Sequence, residues 1–122
     1  MANLLKKGEI ASIKSNGGFH LACNALDDQV VRRLREKKYR FDRAFALMFP
    51  DLSTVKKYCE VSDHEEQLLT NYTRPIVLLK TKNQDKMAPS VAPNNNYLGV
   101  MLPYNPIQYL LFNFLDFPLV MT

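Results

Sequence analysis

The chain has 122 residues, 47% of them hydrophobic and 23% charged, at a mean hydropathy of −0.22. This balance suits one domain with a buried core and excludes a disordered chain. The net charge is +4, yet Arg32 to Arg43 sets seven basic residues against Glu36 and Asp42, a local +5 that leaves the rest at −1, so general basicity is excluded and a local cationic patch remains.

In chain order, residues 2–7 read as the end of a helix with Gly8 as the residue past its end. Glu9 to Lys14 alternates, with β-branched Ile10 and Ile13, and reads as a strand. Asn16-Gly17-Gly18 is a turn, after which Phe19 to Cys23 reads as a second strand. Asp27 or Asp28 caps a helix whose Leu26, Val30, Val31 and Leu34 share one face, with Arg32, Arg35 and Glu36 pointing elsewhere. Ala44 to Phe49, bounded by Pro50, is a buried strand. Residues 51–59 and 62–70 form two short helices, the second opened by a Ser62/Glu65 capping box. Pro75 opens the strand Ile76 to Lys80. Asn83 to Asn96 is polar and proline-punctuated, a long loop. Leu98 to Leu102 is a strand, Pro106 starts a helix with the core stripe Ile107, Leu110, Leu111 and Phe114, and Leu119 to Met121 is a last strand. Strands alternating with helices predict an α/β (α+β) domain, a largely parallel or mixed sheet flanked by helices.

Nothing in the chain is long or apolar enough to read as a membrane span, and the N-terminal residues lack the pattern of a secretory signal. With two cysteines, Cys23 and Cys59, a disulfide framework is not expected, and a reducing cytoplasm is the expected location. His20, Cys23, Cys59 and His64 match no zinc spacing, so no metal site is expected, and Cys23 reads as a small core hydrophobe. No Gly-x-Ser-x-Gly elbow or catalytic triad is present.

Three segments have chemical potential. Lys14-Ser15-Asn16-Gly17-Gly18-Phe19-His20 runs from a strand into two glycines whose amides can approach a phosphate closely. It is neither a Walker loop nor a dinucleotide fingerprint, and by itself fits a plain β-turn. Lys37-Lys38-Tyr39-Arg40 follows the amphipathic helix, where the macrodipole alone favours cations. Arg40 and Arg43 lie past that helix, where an arginine fork suits phosphate or carboxylate. Leu102-Pro103-Tyr104-Asn105-Pro106 is a rigid strand-to-helix turn with amides that could face an anion.

The order of these segments resembles the opening of the YrdC-like domain of HypF-type carbamoyltransferases, the maturation proteins of NiFe hydrogenases. The resemblance runs through Lys7-Gly-Glu-Ile-Ala-Ser-Ile-Lys14, Gly17-Gly-Phe-His-Leu-Ala-Cys-Asn-Ala25, Arg32-Arg-Leu-Arg-Glu-Lys-Lys-Tyr-Arg40, Phe45-Ala-Leu-Met48, Pro75-Ile-Val-Leu-Leu79, Leu98-Gly-Val-Met-Leu-Pro-Tyr104 and Pro118-Leu-Val-Met-Thr122. It implies a YrdC-like twisted mixed sheet. It also implies a domain that forms carbamoyl-adenylate from carbamoyl phosphate and ATP, with Mg2+ accompanying the ATP. The carbamoyl group then passes to a cysteine of a HypE-type partner as the source of the cyanide ligand. Lys38 and Arg40 match the family's Lys-x-Arg motif, with Arg43 at a further basic position. Lys14, Gly17 and Gly18 complete the implied nucleotide and carbamoyl-phosphate site. Because relatives of this fold bind double-stranded RNA, a non-catalytic RNA or nucleotide module is the alternative, for which Tyr39 and Phe41 interleave with Lys38, Arg40 and Arg43.

The sequence departs from the family at Lys14-Ser15-Asn16, where Lys-Gly is usual before the glycine pair. It also lacks the usual prolines near Phe41 and Ala44, and has Asn105-Pro106-Ile107-Gln108 in place of Thr-Pro-Leu-His. The family continues past Leu-Val-Met-Thr with a Ser-Gly-Asn segment. We therefore expect residues 1–122 to be the front portion of the domain, inactive by themselves, with apolar surface at Leu119 to Met121 left uncovered and open to self-association.

Overall fold

The computed structural model describes residues 2–15, 18–38, 45–82, 91 and 97–122. Helix α1 (Ala2–Lys6) stops at Gly8, whose φ of +81° is a left-handed conformation that side chains disfavour. The chain then enters the antiparallel pair β1 (Ala11–Ser15) and β2 (Gly18–Asn24). Asp27 caps α2 (Asp28–Lys38): its carboxylate accepts from the Gln29 amide and its carbonyl from the Val31 amide. The next elements are β3 (Ala46–Met48), α3 (Leu52–Tyr58) and α4 (Asp63–Leu69). The expected capping box is present, Ser62 Oγ accepting from the Glu65 amide and Glu65 Oε1 from the Ser62 amide. Strand β4 (Val77–Lys80), strand β5 (Tyr97–Met101), helix α5 (Pro106–Phe112) and strand β6 (Leu119–Met121) follow.

The six strands lie in the order β1-β2-β6-β3-β5-β4. Among the described residues only the β3–β5 pair is parallel, so the sheet is mixed. Strand alternation divides the core into two layers. On one side Cys23, Leu47, Leu79, Val100 and Val120 meet Val30, Val31 and Leu34 of α2, Val55 of α3 and Leu69 of α4. On the other, Ile13, Ala22, Met48, Met101, Leu119 and Met121 meet Leu5 of α1, Leu111 of α5, and Leu115 and Phe117. Central strands covered on both faces must be apolar at every position, which accounts for the unbroken Leu-Val-Met of β6. Of the six residues that the strand patterns place inside, Ile13, Val77, Leu79, Val100 and Leu102 are buried, and Ile10 is partly buried against the first layer.

Three expectations need correction. Strand β6 is not an edge: it lies between β2 and β3 with Leu119, Val120 and Met121 all buried, and the edges are β1 and β4. The apolar surface expected at Leu119 to Met121 is therefore covered, and self-association has no open edge there. On α5, Ile107, Leu110 and Phe114 are exposed, while Gln108, Leu111 and, beyond the helix, Leu115 face inward. The reason is local. Gln108 Oε1 turns in to accept the Tyr104 amide at 2.8 Å, and that rotates the buried stripe by one residue. On α2, Arg35 is buried rather than outward, and Leu26 is the exposed one, sitting before the helix in a turn closed on Asn24 Oδ1.

Candidate phosphate-binding end of the sheet

Pairing registers put six strand termini at one end of the sheet: the last residues of β1, β4 and β6 and the first of β2, β3 and β5. Helix α2 follows β2 after a three-residue turn, Ala25 to Asp27, and returns along it, so Lys38 arrives at this same end. Lys14 is exposed one residue before the end of β1. Its neighbour Ile13 belongs to the layer opposite α2, so alternation sends Lys14 to the α2 side. Gly18 is exposed with φ +145°, a backbone geometry that glycine alone adopts without strain. The structure thus brings Lys14, Gly18 and Lys38 to one end, while Gly17, Arg40 and Arg43 lie outside the described residues. So do Tyr39, Phe41 and, apart from Val91, the segment Asn83 to Asn96.

The Pro103 to Pro106 turn sits elsewhere. Strand β5 starts at the Lys38 end and runs away from it, which leaves this turn at the far end of the sheet. There Asn105 Oδ1 accepts from the Gln108 amide, so the start of α5 is capped by its own chain.

The local charge is also partly engaged by the fold. Arg32 pairs with Asp28 at 2.7 Å, and Arg33 Nη2 donates to the Gly8 carbonyl. Arg35 has only 5% of its surface exposed; its guanidinium lies 4.3 Å from the Phe45 ring centroid and Nη2 donates to the Val91 carbonyl at 3.0 Å. What the described part of the patch offers to solvent at this end is chiefly Lys37 and Lys38. Sequence reading missed Arg35, although its place three and four residues from Arg32 and Val31, and next to Leu34, puts it at the margin of the apolar stripe. Phe19, 73% exposed beside Gly18, and His20, whose Nδ1 is buried without a hydrogen-bond partner among the described residues, lie in the hairpin segment but were given no role of their own. Neither cysteine suits a nucleophile: burial pushes the Cys23 thiol up to about 12, with Asp27 adding to the rise, and burial likewise pushes Cys59 up to about 11. No described helix is long and apolar enough to cross a membrane.

Comparison with known proteins agrees with this frame. The Sua5/YciO/YrdC family model, described as "Telomere recombination", matches residues 3–122. Carbamoyltransferase HypF2 of Cupriavidus necator is 47% identical over 110 residues, covering 89% of this chain and 14% of that protein. Carbamoyltransferase HypF of Synechocystis is 41% identical over 118 residues, covering 97% of this chain and 15% of that protein. The crystal structure of a full-length HypF in the phosphate- and nucleotide-bound form superposes with a TM-score of 0.95 at 55% identity, covering 99% of this chain and 16% of the other. The chain thus spans about one-seventh of the length of these curated relatives, and across that span it belongs to the Sua5/YciO/YrdC family as the YrdC-like domain of the HypF carbamoyltransferase type.

Proposed function

We propose that the chain supplies one side of a nucleotide and carbamoyl-phosphate site, in a domain that forms carbamoyl-adenylate from carbamoyl phosphate and Mg2+-bound ATP. The observation that carries this reading is the convergence of Lys14, Gly18 and Lys38 on one end of the sheet. It is supported by 55% identity to a HypF protein whose structure holds phosphate and nucleotide. In this reading Lys38 neutralises phosphate charge, and the bare Gly18 backbone lets the hairpin approach the ligand without a side chain in the way. Arg40 and Arg43 add further cations by the family motif. A HypE-type protein with an acceptor cysteine is the proposed partner of the longer protein.

Carbamoyl-adenylate formation consumes one water and releases phosphate from carbamoyl phosphate and pyrophosphate from ATP, so the carbamoyl group and the triphosphate must be held together in reacting geometry, with donors on several sides. Residues 1–122 contribute the lysine side but hold no Ser-Gly-Asn segment. We expect them to bind ATP weakly or not at all and not to turn it over. The test is carbamoyl-phosphate-dependent ATP–pyrophosphate exchange by residues 1–122 and by a full-length HypF protein carrying this domain. Exchange in the longer protein that falls at least tenfold in Lys38→Ala supports the reading; full exchange in that variant overturns it. Robust exchange by residues 1–122 overturns the division of the site. RNA binding is the competing outcome, marked by steep salt weakening and indifference to the nucleotide base; it draws on a basic segment of which the fold already engages Arg32, Arg33 and Arg35.

A further inference from the structure

The Val91 carbonyl accepts two hydrogen bonds, one from Arg35 Nη2 at 3.0 Å and one from the Phe45 amide at 2.9 Å. Arg35 meanwhile lies over the Phe45 ring, and Phe45 and Val91 are themselves buried. Three elements distant in sequence are thereby joined at one point: the last turn of α2, the entry to β3, and Val91. A planar guanidinium can stack on a ring and donate in its own plane at once, which an ammonium cannot do. Burying a guanidinium costs desolvation, which the Phe45 ring face and the Val91 carbonyl help to offset. Lys38 lies three residues on, less than one helical turn away.

We propose that Arg35 is a positioning residue that fixes the last turn of α2, and with it Lys38, against the entry to β3. This deepens the nucleotide reading and rests on Lys38 being a phosphate ligand. Arg35 is too buried to touch that ligand itself.

The test uses Arg35→Met, Arg35→Lys and Phe45→Leu in the 122-residue chain, with Arg32→Met as the control. Amide hydrogen exchange at residues 36–38 and 45–46 should rise at least tenfold relative to the amides of Leu79 and Val100 in the first three variants and stay put in the control. An unchanged pattern, or a uniform rise throughout the domain, overturns the proposal. Full rescue by Arg35→Lys also overturns it, because charge alone would then suffice. Should the variants fail to fold, the unmodified protein decides: the Arg35 side-chain protons should show upfield ring-current shifts that those of Arg32 lack, and their absence refutes the stack. ATP titration of a full-length HypF protein carrying this domain supplies the functional readout. Arg35→Met should weaken binding at least fivefold with its salt dependence unchanged, whereas Lys38→Ala should weaken it and flatten that dependence. Flattening by Arg35→Met would make it a direct ligand and refute the positioning role. If a full-length HypF protein carrying this domain shows no ATP response at the Lys38 position, the nucleotide reading fails, and the exchange data still judge the clamp.

Discussion

At the scale of single residues, the two cysteines illustrate how burial silences a reactive group. Both are free and fully buried, and both thiols are raised by desolvation, to about 12 for Cys23 and about 11 for Cys59. Alkylation at pH 8 should leave both intact in the native state and modify both after denaturation, read by mass spectrometry; rapid native labelling of Cys23 would contradict its placement. The raised values also carry a sign for stability. A thiol that holds its proton more tightly when folded than its ordinary 9.0 lends stability fully below that value. That contribution is lost as pH climbs from about 9 through 12. Cys23→Ala should therefore flatten the alkaline fall in stability, measured by denaturant melts between these limits.

Arg35 shows the same logic from the opposite direction. A cation at the margin of an apolar stripe was read as solvent-facing because arginine usually is, yet ring face and carbonyl together recruit it inward. Periodicity reports which positions share a face; it says nothing about a polar group that finds partners inside.

Among the elements, the strands were the most legible. Alternation in β4 separates the buried Val77 and Leu79 from the exposed Leu78 and Lys80, whereas β5, covered on both faces, is buried without a break from Leu98 to Met101. Capping chemistry fixed the starts of α2 and α4 because each cap is a local hydrogen bond spelled by two or three residues. Helix α5 was misread for a physical reason: the stripes 107/110/111/114 and 108/111/115 satisfy helical spacing equally, and the choice between them goes with the tertiary packing of Leu111 and Leu115 and the Tyr104 amide's bond to Gln108. The choice has a measurable consequence. Leu111→Ala should cost about 2–5 kcal/mol, as for a buried leucine, whereas Leu110→Ala, at 61% exposure, should stay within about 0.5 kcal/mol. Equal costs in thermal or urea melts would show that the helix face is wrong. Of the candidate site, the hairpin glycine and Lys38 were recognisable by motif, but their meeting at one end depends on pairing registers that no local pattern encodes.

For the molecule as a whole, the order of strands matters more than their number. Strand β6 joins the β1–β2 hairpin to the β3–β5–β4 group, pairing with β2 on one side and β3 on the other. A charge at Val120, which faces the larger core layer between these neighbours, should abolish the cooperative thermal transition, because it buries an unpaired ion. The same charge at Ile76, 58% exposed on the edge side, should leave a cooperative melt. A cooperative transition in Val120→Asp, followed by circular dichroism, would contradict the central position.

That central place of β6 also sets a timetable. A ribosome extrudes the hairpin first and β6 last among the six strands, so the hairpin emerges long before the neighbour that secures it to the sheet. Until β6 leaves the exit tunnel, Ala22 and Cys23 have no strand beside them on that side, and the nascent chain carries two unsealed sheet halves. The candidate site, built from termini of both halves, is thus assembled only once β6 has emerged, and a chain stalled before Leu119 would present Lys14 and Lys38 without the strand that ties the two halves together.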